Sequence, residues 1–312
     1  MSEPWPIVFM GTPRAAAITL EELLNGPDPI VGVVTQPDRP AGRGQETIAS
    51  PARKSAEKRG ISVVAPKKMR DPDLLATLRS WAPRLIVVVA YGRILPSTIL
   101  ELPSGGCLNV HYSLLPKYRG AAPVAWAIVN GEEKSGVTTM RLVEKMDAGP
   151  VLLQAEIPLA ADETAASLEA KLIPIGARLL LETIRLLKEG AISPKEQNEA
   201  EASYAPMLKK EDGRIDWGEP ALVLERRVRG FHPWPSTYTY WRGKWLKIHH
   251  ASVMDGQTDE PPGTIVKVDE AGLCVATGHK LLRLEEVQLE NRRRMPAAEF
   301  IKGARIEAGE GL

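Results

Sequence analysis

Residues 85–111, LIVVVAYGRILPSTILELPSGGCLNVH, contain the pattern that decides the fold. Two short apolar runs, Leu85 to Ala90 and Cys107 to Val110, bracket a turn-rich segment. Runs that are mainly apolar and rich in β-branched residues are typical of strands buried on both faces of a parallel sheet. Upstream, the same pattern recurs in three further runs: Ile7 to Met10, Ile30 to Thr35 and Ile61 to Ala65.

Helical patterns alternate with these runs. The spacing of apolar residues predicts helices over Pro13 to Leu24 and Leu74 to Trp81, with Thr12 as the cap of the first and Pro13 in its first position. Alternating strands and helices indicate a Rossmann-like, doubly wound α/β sheet. The pattern then continues with a short helix, two strands that flank the loop containing Asp147, and a long helix: Ala122 to Val129, Gly136 to Val143, Val151 to Ile157 and Glu163 to Glu189.

The last third of the chain has a different character. Residues 191–208 contain two prolines and no sustained periodicity, which indicates a linker. Five short strand patterns separated by Gly, Pro and Asp follow, and they predict a small OB-like β-barrel. We therefore expect a catalytic domain over residues 1–190, a linker over 191–208 and a C-terminal domain over 209–312. Its strands are Thr237 to Trp241, Trp245 to Ser252, Gly263 to Val268, Leu273 to Thr277 and Leu281 to Leu289.

Composition excludes several classes of protein. The 40 basic and 39 acidic residues leave a net charge of +1, which gives no overall sign of a polyanionic partner. The longest apolar run is far below the roughly 20 residues that span a bilayer, and the N-terminal sequence lacks the pattern of a targeting signal. The two cysteines, Cys107 and Cys274, have no zinc-ligand spacing. We expect a cytoplasmic protein without a metal ion and without a membrane segment.

The strongest indication of a site is Asn109 and His111 at the end of a predicted parallel strand. Residues i and i+2 of a strand share one face, and ligands of open parallel sheets bind outside the carboxyl ends of the strands. An amide and an imidazole there could stabilise an oxyanion, and Asp147 could orient the imidazole and accept a proton. From this spacing alone, an Asn-x-His pair at a strand end more often has a structural role, with the histidine bonded to a neighbouring loop. The turn after the first strand lacks G-x-G-x-x-G, so the sequence does not favour a nicotinamide dehydrogenase.

Longer motifs carry a family resemblance. Residues 109–123, NVHYSLLPKYRGAAP, and residues 146–150, MDAGP, resemble the two signatures of the folate-dependent formyltransferases. The flanking segments 9–13, 39–44 and 214–217 also match the tRNA-directed branch of that family. The resemblance implies that Asn109, His111 and Asp147 are the catalytic residues.

The resemblance further implies the substrates. The formyl donor would be 10-formyltetrahydrofolate and the acceptor the free α-amino group of methionyl initiator tRNA. The folate would be held by two segments that follow predicted strands: Ser113, Leu114, Leu115 and Pro116, and the backbone of Ala90, Tyr91 and Gly92. No metal is required, because the donor is already activated. We expect the chain to be a monomer.

The resemblance also places an RNA-binding loop at residues 37–51, in which Arg43 and Arg39 would contact the acceptor stem. On composition alone a solvated loop is the other interpretation. Residues 209–312 contain 17 basic and 16 acidic residues, so only local clusters, among them Lys209 and Lys210, favour RNA binding there.

Other functions remain open from the residues alone. The same core could formylate glycinamide ribonucleotide or an amino sugar nucleotide, although a C-terminal domain is not expected in the first. It could hydrolyse 10-formyltetrahydrofolate, although a regulatory domain is then expected before the catalytic one. A non-catalytic RNA-binding protein is the alternative from another class, and the intact Asn109, His111 and Asp147 argue against it.

Overall fold

A computed structural model describes residues 3–41 and 46–312 of the chain. The chain forms two compact units that interleave along the sequence. The segments of the first unit are Met1–Pro123, Lys134–Ile157 and Glu169–Ala205. The segments of the second unit are Val124–Glu133, Pro158–Leu168 and Pro206–Leu312.

The first unit is built on a seven-stranded mixed sheet. The strands from the N-terminus to residue 205 are β1 (Ile7–Gly11), β2 (Ile30–Val34), β3 (Arg39–Ala41), β4 (Glu46–Ile48), β5 (Val63–Val64), β6 (Leu85–Val89), β7 (Cys107–His111), β8 (Arg119–Gly120), β9 (Lys134–Arg141), β10 (Val151–Pro158) and β11 (Tyr204–Ala205). The sheet order is β10-β9-β7-β6-β1-β2-β5, while β3 with β4 and β8 with β11 form two-stranded pairs. Neighbouring strands from β7 to β5 are parallel, and β9 runs antiparallel to β7. The α/β fold class predicted from the sequence is confirmed, with an antiparallel extension.

Helices connect these strands. They are α1 (Arg14–Leu24), α2 (Pro51–Lys58), α3 (Pro72–Trp81), α4 (Ser97–Leu100), α5 (Pro123–Val129) and α6 (Ala165–Lys188). The prediction for the start of α1 was wrong by one residue, since Pro13 is the cap residue and makes no side-chain capping bond. The Thr12 hydroxyl instead accepts a hydrogen bond from the backbone N–H of Gln36 at 3.3 Å. Thr12 thus ties the end of β1 to the loop after β2.

The central strands are apolar because both of their faces are covered. Every residue of β1, β6 and β7 is buried. On one face, Met10 and Ile86 pack in one cluster with Leu78 of α3. Gly32 in β2 allows a close approach by the same helix, because a Cβ atom there would lie 2.4 Å from the ring of Trp81.

The segment predicted as a linker is hydrogen-bonded to the first unit. Lys195 forms an antiparallel bridge with Val151, and a single 3-10 turn follows at Glu199–Glu201. Strand β11 then pairs in parallel with β8. A Cβ atom at Gly120 in β8 would lie 2.5 Å from the Ala205 carbonyl oxygen, so this pairing requires glycine.

The second unit contains an antiparallel sheet of six strands. Its elements are α7 (Ala221–Gly230), β12 (Thr237–Trp241), β13 (Lys244–Met254), β14 (Ile265–Asp269), β15 (Gly272–Ala276), β16 (Leu281–Leu289), β17 (Met295–Pro296) and α8 (Ala297–Ala304). The strand order is β12-β13-β16-β15-β14, with β17 beside β16. The small β domain predicted from the sequence is confirmed, while the sequence analysis did not place α7 and α8. No helix in the described parts of the chain is long and apolar enough to cross a membrane.

Candidate active site

Strand β7 ends at the edge of the sheet where the predicted site residues meet. The register aligns Val89 of β6 with Val110 of β7, and Gly11 of β1 with Val89. The carboxyl ends of three parallel strands therefore lie side by side, the usual position of a ligand site in an open α/β sheet. Asn109 and His111 are 9% and 5% exposed and share one face of β7.

The orientation of the His111 ring is set by a backbone group. Nε2 of His111 lies 2.9 Å from the carbonyl oxygen of Tyr118. Because a carbonyl oxygen only accepts, Nε2 donates this hydrogen bond. Nδ1 is therefore the ring nitrogen left for chemistry, and it lies 3.7 Å from Oδ2 of Asp147. That distance is too long for a hydrogen bond, so the carboxylate and the ring are neighbours without being directly bonded.

Asp147 lies in the loop between β9 and β10, with 13% of its side chain exposed. Its Oδ2 atom accepts a hydrogen bond of 2.8 Å from the backbone N–H of Gly120. Its φ angle is +50°, in the left-handed region that side chains other than glycine adopt at a cost. A partly buried carboxylate is thus held beside the imidazole by a strained loop, as an acid–base pair requires.

The predicted folate segment after β7 forms a turn fixed by Thr138 of β9. The Thr138 hydroxyl donates to the Ser113 carbonyl at 2.7 Å and accepts from the Leu115 N–H at 3.1 Å. Gln154 donates to the Leu115 carbonyl at 2.9 Å and to the Thr138 hydroxyl at 2.9 Å. The Ser113 hydroxyl donates to the Lys117 carbonyl at 2.7 Å.

The apolar side chains of the same turn pack on the sheet. A Cβ atom at Gly136 would lie 2.6 Å from Cδ2 of Leu114, and Leu115 is 5% exposed. The turn is therefore a rigid apolar wall next to His111, with most of its polar groups engaged within the protein.

The second predicted folate segment follows β6. The three residues of this segment differ in exposure to solvent. Ala90 and Gly92 are exposed and have positive φ angles of 46° and 76°, whereas Tyr91 is only 2% exposed. The Tyr91 hydroxyl donates to Sδ of Met69 at 3.2 Å, and its carbonyl accepts from Nε2 of Gln36 at 2.9 Å. Burial raises the pKa of Tyr91. Exposed backbone at Ala90 and Gly92 suits a planar ring with polar edges, while the tyrosine ring belongs to the core.

Several polar residues that support the site were missed by sequence reasoning. Thr138 is fully buried in β9 and organises the turn after β7, and Gln197 and Ser203 lie in the segment after α6. The Ser203 hydroxyl accepts from the N–H of Tyr118 at 2.9 Å, and so helps to fix the carbonyl that holds His111. Sequence patterns gave little sign of these roles, because Thr138 lies within an ordinary strand pattern and Gln197 lies in a segment without periodicity.

The structure describes three of the four predicted RNA-binding residues. Arg43 lies outside the described residues, and Arg39 lies in the short strand β3. Lys209 and Lys210 are exposed next to a 3-10 turn, and Nζ of Lys210 lies 4.2 Å from the ring centre of Trp245.

Trp245 belongs to an aromatic cluster on β12 and β13. Tyr238 stacks on Trp245 with ring centres 4.5 Å apart, and Tyr240 meets the same ring edge-on at 5.9 Å. Arg214 lies 6.0 Å from the ring of Tyr240, which is 40% exposed. By contrast, Trp241 is buried in the core. Cations beside accessible rings are suited to stacking on unpaired bases.

Many other basic residues of this unit are neutralised locally. Examples of these ion pairs are Arg227 with Glu219, Arg229 with Glu225, Arg242 with Glu310, and Arg294 with Glu286. Among the described residues, no group of three or more His, Cys, Asp or Glu side chains converges as a metal site would require.

The fold and the site define a Rossmann-like α/β enzyme with an attached antiparallel β domain. The profile of the Formyl transferase family matches residues 6–184, and that of the Formyl transferase C-terminal domain matches residues 207–305. The chain belongs to the formyl transferase family. Two similar proteins are the methionyl-tRNA formyltransferases of Desulfotalea psychrophila, 48% identical over 97% of this chain and 94% of that protein, and of Geobacter sulfurreducens, 45% identical over 98% and 96%.

Solved structures share the fold at lower identity. WlaRD, a sugar 3N-formyl transferase crystallised in the presence of dTDP and 5-N-formyl-THF, is 16% identical with a TM-score of 0.67 over 93% of this chain and 100% of that chain. HypX from Aquifex aeolicus in complex with tetrahydrofolic acid is 18% identical with a TM-score of 0.62 over 99% of this chain and 49% of that chain.

Proposed function

We propose that this protein transfers the formyl group of 10-formyltetrahydrofolate to the free α-amino group of methionyl initiator tRNA. The observation that carries the proposal is the convergence of Asn109, His111 and Asp147 at the carboxyl edge of the sheet, with 3.7 Å between Nδ1 of His111 and Oδ2 of Asp147. The two relatives reported above, which span nearly the whole chain, are methionyl-tRNA formyltransferases.

Each residue has a role that follows from its position. The amide of Asn109 donates a hydrogen bond to the oxygen of the attacked formyl group, where negative charge develops. His111 works through Nδ1, since Nε2 is bonded to the Tyr118 carbonyl. Asp147 accepts a proton from the attacking amine, which must be neutral to react, and stabilises the charged form of His111. The proton ends on the nitrogen of the departing folate.

The donor would lie against the carboxyl edge of the sheet. The folate supplies an activated formyl group, so these residues only have to bind, orient and exchange protons. The exposed backbone of Ala90 and Gly92 would bind its polar ring edges, and the turn from Ser113 to Pro116 would form the apolar wall. The rigidity of that turn would keep the formyl carbon beside Asn109 and His111.

The acceptor would be held by residues at both ends of the chain. Arg39 and Arg43 would contact the acceptor stem, and Lys209 and Lys210 would bind phosphates, with Lys210 already stacked on Trp245. We propose catalysis in residues 1–190 and RNA contact in residues 209–312, joined by 191–208. The protein would act as a monomer in the cytoplasm.

The test is an acceptor panel with the full chain. Purified protein is incubated with saturating 10-formyltetrahydrofolate and methionyl initiator tRNA, and formylmethionine is measured by mass spectrometry after mild deacylation. We expect rapid formylation that falls by several orders of magnitude in Asp147→Asn. Methionyl elongator tRNA, glycinamide ribonucleotide and a dTDP-amino sugar are run in parallel.

The panel also separates the alternatives. Formylation of the sugar nucleotide or of glycinamide ribonucleotide, with the tRNA unmodified, would assign the same site to another amine. Formate release without any acceptor would indicate a hydrolase. Binding of tRNA without formylmethionine at donor saturation would contradict the catalytic proposal.

A further inference from the structure

The loop that carries Asp147 is held by a side chain from outside the two signature motifs. Nε2 of Gln197, in the segment after α6, donates to the Asp147 carbonyl at 2.8 Å and to the Gly149 carbonyl at 2.7 Å. Both protons of the side-chain amide are therefore committed to the backbone of this loop. Position 149 of the loop requires glycine, since a Cβ atom there would lie 1.9 Å from the carbonyl oxygen of Arg141.

Gln197 is itself fixed by Arg119. Nε and Nη2 of Arg119 donate to Oε1 of Gln197 at 3.0 and 2.8 Å, and the guanidinium is fully buried. Nη2 also lies 2.9 Å from Oε1 of Glu199. Burial is the largest single effect and disfavours the charge on Arg119, but the hydrogen bonds and charges of Glu199 and Tyr204 together outweigh it and raise the pKa of Arg119. Hydrogen bonds from Arg119 and Lys145 lower the pKa of Glu199 to about 2, so this ion pair persists at neutral pH.

The residue after Arg119 binds the Asp147 carboxylate directly. The N–H of Gly120, the next residue, donates to Oδ2 of Asp147. Strand β8 thus fixes Asp147 in two ways. The backbone N–H of Gly120 binds the carboxylate, and the side chain of Arg119 fixes the loop backbone by way of Gln197. The left-handed conformation of Asp147 is strained for a residue other than glycine, and such strain persists only where the surroundings fix it.

We infer that Arg119 and Gln197 are positioning residues that keep the Asp147 carboxylate beside His111. The inference rests on the proposed catalytic role of Asp147. Neither residue is assigned contact with a substrate: Arg119 is buried behind the loop, and Gln197 uses both amide protons on loop carbonyls. In a loop that is free to relax, the distance between carboxylate and imidazole would no longer be fixed.

The substitution that tests this is Gln197→Glu. It preserves size and the bonds from Arg119, but it replaces two donors by a carboxylate that faces two carbonyl oxygens. We expect kcat to fall about 10- to 100-fold while KM for both substrates stays within about twofold, the loss typical of a misplaced catalytic group. Hydrogen exchange of the loop, residues 144–150, should become faster without any substrate present. The control is Gln257→Glu, the same change at an exposed loop residue, which should retain the wild-type kcat.

A double mutant distinguishes positioning from general destabilisation. If Gln197 acts through Asp147, then Gln197→Glu should lower kcat by less than about twofold in an Asp147→Asn background. If the two residues act independently, Gln197→Glu should lower kcat by the same factor in both backgrounds. Arg119→Lys, which keeps the charge but not the paired bonds, should give an intermediate kcat and tests the network if Gln197→Glu does not fold.

The results that overturn the inference are distinct from those that overturn the proposed function. A wild-type kcat and unchanged loop exchange in Gln197→Glu would refute positioning. So would an undiminished loss in the Asp147→Asn background. If Asp147→Asn itself retained full activity, the proposed catalytic site would be wrong, whatever Gln197 does.

Discussion

Replacing Thr138 by valine should destabilise the turn from Ser113 to Pro116, the proposed folate-binding segment, because it removes the hydroxyl group that fixes the turn. Valine matches threonine in size, but it cannot donate to the Ser113 carbonyl or accept from the N–H of Leu115. Thr138 is fully buried, so water cannot replace these bonds without a rearrangement. Gln154 is affected less, because it keeps its bond to the Leu115 carbonyl.

The magnitude follows from the number of groups left without a partner. Two buried backbone groups at about 1–2 kcal/mol each predict a loss of about 3 kcal/mol in the free energy of unfolding. The matched control is Thr138→Ser, which keeps the hydroxyl and removes one methyl group, at a cost of about 1 kcal/mol. The turn borders the proposed folate site, so we also expect KM for 10-formyltetrahydrofolate to rise several-fold in Thr138→Val alone.

The assays are urea unfolding followed by circular dichroism, and initial rates at varied donor concentration. Equal destabilisation of the serine and valine variants would show that the hydroxyl network contributes nothing. An unchanged KM for the donor in Thr138→Val would separate the turn from the folate site. Either result would refute this reasoning.

Four further predictions concern the site and its surroundings. His111→Ala should lower kcat by at least about 100-fold in single-turnover assays, because it removes the group that carries Nδ1; a rate near wild type would leave the ring a structural role. Arg43→Ala should weaken discrimination between initiator and elongator tRNA, measured as the ratio of kcat/KM values, and an unaltered ratio would support the solvated-loop interpretation. Lys210→Ala should raise KM for tRNA several-fold and reduce its dependence on salt, since one phosphate contact is lost; Lys302→Ala, another exposed lysine of the same unit, is the control. Burial raises the pKa of Cys107 from 9.0 to about 12, so the folded state disfavours the thiolate. The stability that this thiol contributes is therefore complete below about pH 9 and is lost as the pH rises towards 12, and iodoacetamide labelling at pH 8.5 should be about 1000-fold slower in native than in urea-unfolded protein.

Local patterns were enough to predict the elements of the sheet. The runs at 85–90 and 107–110 became β6 and β7, because a strand covered on both faces is mainly apolar, with Asn109 and His111 as the polar exceptions at the end of β7. The same reasoning could not place α7 or α8, whose short helical patterns resemble the turns between strands. It also could not show that residues 191–208 bond to the loops of the candidate site, since these contacts join residues up to 85 positions apart.

The sequence by itself determined the fold class, the family and the identity of the candidate site residues, because strand periodicity and contiguous motifs such as NVHYSLLP are local properties of the chain. Only the tertiary structure decided how those residues are held. Which nitrogen of His111 remains for chemistry depends on the Tyr118 carbonyl, and the conformation of Asp147 depends on Gln197, 50 residues away. Hydrogen bonds of this kind need precise distances in space, and no pattern along the chain encodes them before the chain has folded.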